Sequence, residues 1–203
     1  HGLYSSQVLM KPTSYADGLK IVRGMSDNLA LDLVQKKVVT DRIGLIVDYD
    51  ITSLQIDNGF NGKLTTDYYG RKTPKPDHTF IKLEAATSSS AELRNNFKEM
   101  YEKHINPKML IRRVTVTANN LVDETTALQK QKFKQIDLFS NTEQDIIRDK
   151  HAQIKRQQDR KIQETILSLQ KKFNNRNIIL KASDLEAGST TIERNNQIGG
   201  HHA

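Results

Sequence analysis

Apolar residues recur along the first 122 positions with two alternating periods, and the switches between them mark out six elements. "SSQVLM" (residues 5–10) reads as a short strand. Tyr15, Leu19, Val22, Met25, Leu29 and Leu33 then follow at three- and four-residue spacing, the stripe of a long helix. Ser14, with Asp17 three residues on, has the form of a capping box at its start. In "VVTDRIGLIVDYD", Ile43, Leu45 and Val47 alternate with Arg42, Gly44 and Ile46, as in a half-buried strand. A connection rich in Gly, Asn and Pro follows and carries "TTDYYGRKTPKPDH". "TFIKLEAAT" alternates again, Ile81, Leu83 and Ala85 against Phe80, Lys82 and Glu84. Leu93, Phe97, Met100 and His104 make a second amphipathic helix with Ser89 and Glu92 as its capping pair, and "MLIRRVTVTANNLV" is a fourth strand. The order β-α-β-β-α-β predicts an α+β fold, a four-stranded sheet with two helices on one face.

After Val122 the pattern thins. "DETTALQKQK" has the composition of a linker, and "KQIDLF" then places Leu138 and Phe139 side by side between polar flanks. A long polar helix is predicted from about residue 142 to 173, with Ile147, Ile154, Ile162, Ile166, Leu169 and Phe173 as a sparse stripe. So thin a stripe does not stabilise a lone helix, so docking against another domain or chain is expected. The Gly- and Asn-rich end is expected to be irregular or to fold on a partner. Four units result: a domain over 1–122, a linker over 123–141, the helix over 142–174 and a tail over 175–203.

A net charge of +7 favours a polyanionic partner. With helices on one face only, the other sheet face is open to solvent. Strand parity puts Arg42, Lys82, Arg113, Thr115 and Thr117 on it, with Arg112 at the rim. The connection between the middle strands adds Lys63, Arg71, Lys72 and Lys75. These residues are either ordinary solvated charges or a platform for a duplex backbone, on which cations neutralise phosphates while hydroxyls fix position. Ser88 and Ser89, at a helix start, either cap that helix or offer amide donors to a phosphate. Absence of Cys excludes disulfides and Cys-based zinc sites. No apolar run approaches the length of a membrane span and no signal-like segment opens the chain. A start at His1 rather than Met is expected of a processed product or part of something longer.

These pieces resemble a known family. "QIDLF" is similar to the pentapeptide that binds the bacterial sliding clamp, and "LIRRVTVTANN" resembles the last strand of the little finger domain of Y-family translesion DNA polymerases. "SSQVLMKP", "LALDLV", "VDYD", "TTDYYGRKTPK" and "ATSS", in that order, resemble the same domain in the UmuC-like (ImpB/MucB/SamB) branch of Gram-positive bacteria. The resemblance extends to the tail "GSTTIERNNQIGGHHA".

It implies the DNA-binding and clamp-recruiting C-terminal part of an error-prone polymerase active in DNA repair and the SOS response. Implied partners are primer-template duplex DNA, the sliding clamp and RecA, and the implied location is cytoplasmic, at the nucleoid. Gln135 would hydrogen-bond at one clamp subsite, Ile136, Leu138 and Phe139 would fill apolar pockets, and Asp137 completes the motif. Magnesium is implied for the palm domain of the parent polymerase, whose carboxylates hold the ions for phosphoryl transfer. No cofactor or metal is expected in this chain. Asp48 and Asp50, and likewise Asp123 and Glu124, have metal-ligand spacing but correspond to strand-end and linker positions, and His201–His202 on a tail make a poor site. Two other readings stand beside this one. One is a free-standing DNA- or clamp-binding module that acts by competition. The other is an RNA-binding or regulatory βαββαβ domain, although the strands lack the stacked aromatic pair of an RRM-type sheet.

Overall fold

The structure is a computed structural model and describes residues 2–55, 62–127 and 143–197. Its framework is a four-stranded sheet built from β1 (Leu3–Thr13), β2 (Val38–Tyr49), β5 (Asp77–Thr87) and β6 (Ile111–Asp123). The strand order is β1-β6-β2-β5, and every neighbouring pair is antiparallel. Helices α1 (Tyr15–Gln35) and α2 (Ser90–His104) cross over one face, as the predicted order requires. Their caps form as expected: Ser14 accepts from the Asp17 amide at 3.2 Å, and Ser89 from the Glu92 amide at 3.3 Å.

The core fills the space between that helical layer and the sheet. Leu29 and Leu33 from α1 and Leu93, Phe97 and Tyr101 from α2 meet Ile43, Leu45, Val114 and Val116 from the central strands. Two tyrosines bring a polar end into this core. Tyr101 donates to the Tyr15 carbonyl at 2.7 Å, and the Tyr49 hydroxyl donates to Asp77 while accepting from the Asn106 amide. Burial pushes both phenols well above the ordinary tyrosine range, and the Asp77 carboxylate adds to the effect at Tyr49.

Three expectations change. The connection between the middle strands is ordered in part as a hairpin of β3 (Leu64–Thr66) and β4 (Lys72–Pro74), preceded by a 3-10 turn at Ile51–Leu54. Its alternation is too short to read as strand from sequence.

The long helix α3 (Glu143–Phe173) forms over the predicted residues and docks on the domain that precedes it, but chiefly through its polar face rather than its apolar stripe. It lies on this same domain through polar residues. Arg156 donates to Glu92 at 2.6 Å, Arg160 to Glu124 at 2.9 Å, and Gln163 to the Ser88 carbonyl at 2.9 Å. Ile147, Ile154, Ile162 and Phe173 are exposed, and Ile166 and Leu169 are half-buried. A helix whose own neighbours offer unpaired backbone groups gains more from its polar face than from three scattered isoleucines and a phenylalanine.

The tail also folds back on its own chain. A 3-10 turn (Ala182–Asp184) and the short helix α4 (Thr191–Asn196) lie against α1. Lys181 pairs with buried Asp27 at 2.7 Å, and Asn195 accepts from Asn28 at 3.0 Å. Arg194 and Thr190 both donate to Gln7 of β1, at 3.2 and 3.0 Å. Burial pulls the Arg194 guanidinium down to about 10, against the attraction of Asp184. α1 is therefore covered on two sides, which accounts for buried Ser26 and Asp27 beside its apolar stripe.

Candidate nucleic-acid interface

Among the described residues no helix lies over the sheet face away from α1 and α2, and strand register arranges its side chains in rows. One row runs Asn119, Arg42, Lys82 across β6, β2 and β5. The next runs Tyr4, Thr117, Gly44, Phe80, and the one after it Ser6, Thr115, Ile46, His78. A fourth row joins Val8, Arg113 and Asp48. Gly44 is where it must be, because a Cβ there would collide with the Phe80 ring and the Thr117 hydroxyl. Phe80 can thus lie across the central strand. Neighbouring strands are about 4.8 Å apart, so three residues of a row span roughly 10 Å of surface.

The hydroxyls of this face are linked. Ser6 and Thr115 hydroxyls meet at 2.8 Å, and Asn119 donates to Thr117 at 3.0 Å. Ser6 and Asn119 are members of the face but were not among the residues expected on it. Applying the same parity to edge strand β1 and one step further along β6 would have found them. The two exposed aromatics, Tyr4 and Phe80, sit on opposite edge strands and cannot stack on one another.

The cations of the face differ in how far they are already neutralised. Arg42 and Lys82 are exposed and form no ion pair among the described residues. Arg113 is tied to Asp48, and that hydrogen bond holds its guanidinium above the ordinary arginine value. Arg112 and Arg113 are both exposed because β6 bulges here: Asp48 pairs with Arg113 but Tyr49 with Ile111, which leaves Arg112 as the extra residue. Arg112 reaches Asp50 at 3.9 Å. Lys63, Arg71, Lys72 and Lys75 line the β3–β4 hairpin, all exposed.

Ser88 and Ser89 do not belong to this surface. Both are buried under α3, and the α2 N-terminus already holds an anion from its own chain. The Asp159 carboxylate accepts from the Ser89 hydroxyl at 2.6 Å and from the Ala91 amide at 3.1 Å. The expectation of phosphate donors there is corrected: an aspartate occupies the position a phosphate would take.

The remaining carboxylates with metal-like spacing have structural partners. Asp50 caps the 3-10 turn through Thr52, Asp123 accepts from Thr125, and Glu124 pairs with Arg160. The motif Gln135, Ile136, Asp137, Leu138 and Phe139 lies outside the described residues.

Comparison with known proteins places this architecture. The model of the impB/mucB/samB family C-terminal domain matches residues 4–138. The chain belongs to the impB/mucB/samB family. It is thereby a C-terminal region of the Y-family polymerase type, and the open sheet and its helical layer both lie inside the matched residues. A solved structure described as a complex of beta-clamp processivity factor and little finger domain of PolIV is similar at a TM-score of 0.35 and 9% identity, covering 58% of this chain and 86% of that one. No curated protein matches the chain. The impB/mucB/samB match ends before α3, so the helix and tail that cover α1 lie beyond the family domain. None of the described helices is long and apolar enough to cross a membrane.

Proposed function

We propose that this chain is the DNA-holding and clamp-recruiting part of an error-prone translesion polymerase, acting in DNA repair during the SOS response of a Gram-positive bacterium. The observation that carries the reading is the open sheet face, where Arg42, Lys82 and Arg113 flank a band of hydroxyls from Ser6, Thr115 and Thr117. Cations at both ends with hydroxyls between suit a double-stranded backbone, whose phosphates recur along two rails. Between the cation rows, the central strands present Thr117, Gly44, Thr115 and Ile46, none of them a long polar side chain that could read base edges. A grip on phosphates alone tolerates a distorted template, because lesions change bases far more than backbone charge.

Recruitment rests on the family and on Gln135–Phe139, a short apolar motif carried between the domain and α3. The same reading makes RecA a further candidate partner, the nucleoid the place of action, and magnesium a requirement of the parent polymerase's palm domain.

Fluorescence anisotropy with labelled duplexes of unrelated sequence tests the DNA half. Affinities should agree between sequences and fall steeply as salt rises. A strong preference for one sequence, or binding indifferent to salt, would contradict it.

A further inference from the structure

The β3–β4 hairpin ends in a feature that a phosphate platform does not need. Tyr68 and Tyr69 are 96% and 77% exposed, the most exposed aromatic pair among the described residues. Their rings stand edge-to-face at 5.4 Å, and the Arg71 guanidinium lies 5.3 Å from the Tyr69 ring centroid. The turn that holds them is fastened from several directions. Asp67 accepts from the Tyr69 and Arg71 amides at 2.9 Å each, and from the Arg71 guanidinium at 2.8 Å. Gly70 closes the turn with φ at 78°, a conformation that other residues rarely adopt. Asp67 is the only acid between residues 62 and 76, and it is consumed by Arg71; Lys63, Lys72 and Lys75 leave the hairpin strongly basic.

We infer that this tip is a stacking site for unpaired nucleobases of single-stranded nucleic acid. Two large rings in water, held by a fixed turn and surrounded by cations, match the combination by which proteins grip single strands: a flat aromatic surface for the base and positive charge for the adjoining phosphates. Bases inside a duplex present no free face, so the ligand differs from that of the open sheet. An apolar protein partner fits less well, because the described residues that flank the rings in the turn, Asp67, Gly70 and Arg71, are not large apolar ones, and the uncompensated charge among residues 62–76 has one sign. A fixed turn also means that little ordering is lost when a base stacks.

The test uses the whole chain with a short labelled oligothymidylate and, separately, with a duplex. Tyr68→Ala with Tyr69→Ala should weaken oligothymidylate binding about tenfold while leaving duplex affinity and both salt slopes unchanged. Tyr68→Phe with Tyr69→Phe should bind the oligonucleotide as the unaltered protein does, since the ring faces persist. Failure of the unaltered protein to bind oligothymidylate would overturn the inference, as would an alanine pair that binds normally. An equal loss on duplex would make the tip a general backbone contact instead. A phenylalanine pair as weak as the alanine pair would assign the role to the hydroxyls. None of these outcomes depends on whether Arg42 and Lys82 hold duplex.

Discussion

At the scale of single residues, the paired arginines and the Arg42–Lys82 pair make different predictions although all four were expected on one surface. Ile111 and Val114 are both buried three positions apart, a spacing that strict alternation forbids, and the bulge at Arg112 reconciles them. That much was legible in "LIRRVTV", but the partner of Arg113 was not, because Asp48 is 65 positions away. An arginine already tied to a carboxylate displaces fewer counterions than one that meets phosphate alone. Arg42→Ala with Lys82→Ala should lower the log–log salt slope for duplex by about 2. Arg112→Ala with Arg113→Ala should lower it less. Anisotropy titrations across salt compare the two, and a larger effect from the paired arginines would mean that Asp48 yields to DNA. Asp67 offers a residue-scale check of the hairpin. The Arg71 amide, with further hydrogen bonds from the Arg71 side chain and the Tyr69 amide, holds its carboxyl below the ordinary aspartate value of 3.8. The folded value is depressed, so the turn's stabilisation is complete above the ordinary value and fades as pH falls through the depressed one. NMR titration of the carboxyl should show this low midpoint, and Arg71→Ala should move it upward.

Among elements, the extents that apolar periodicity marks were readable, including the long helix α3, whereas the long-range polar contacts that dock elements were not. Helices α1 and α2 and strands β2, β5 and β6 follow from apolar spacing, which records the face each turns to a shared core. Edge strand β1 was seen only in part, because Val8 and Met10 point away from the core and disguise its alternation. Helix α3 was legible in extent but not in the residues that dock it. Its apolar residues are visible in sequence, whereas the groups that dock it, Arg156, Asp159, Arg160 and Gln163, look like any solvated face. Their partners are the first turn of α2, the Ser88 carbonyl before it and Glu124 after β6, and nothing local announces such a match. Asp159→Ala should therefore cost about 1–2 kcal/mol, by removing a charged acceptor from the Ser89 hydroxyl and the Ala91 amide. Hydrogen exchange should quicken across α3 and the first turn of α2 while β2 and β6 remain protected. Unchanged exchange in α3 would mean that the arginine pairs alone hold it.

On the scale of the whole molecule, the helical side is closed over by α3 and the tail, and the sheet side is left open. That division separates two kinds of contact, a broad charged surface on the domain and a short motif in the segment after it. Leu138→Ala with Phe139→Ala should abolish binding to purified sliding clamp in calorimetry, yet leave the thermal melt and duplex affinity unchanged. Each side chain is worth roughly 1.5–3 kcal/mol when fully buried in a partner's pocket, partly offset by ordering of the segment. An early melt in that variant would make the pair part of this protein's own core. The central claim is that duplex lies on the open sheet face, and its most direct test is a backbone amide NMR titration with a short duplex. Amide shifts should move along β2, β5 and β6, centred on Arg42, Lys82, Thr115 and Thr117, and remain still in α1, α3 and the tail. Shifts concentrated on α3 and the tail, with the sheet unmoved, would contradict it.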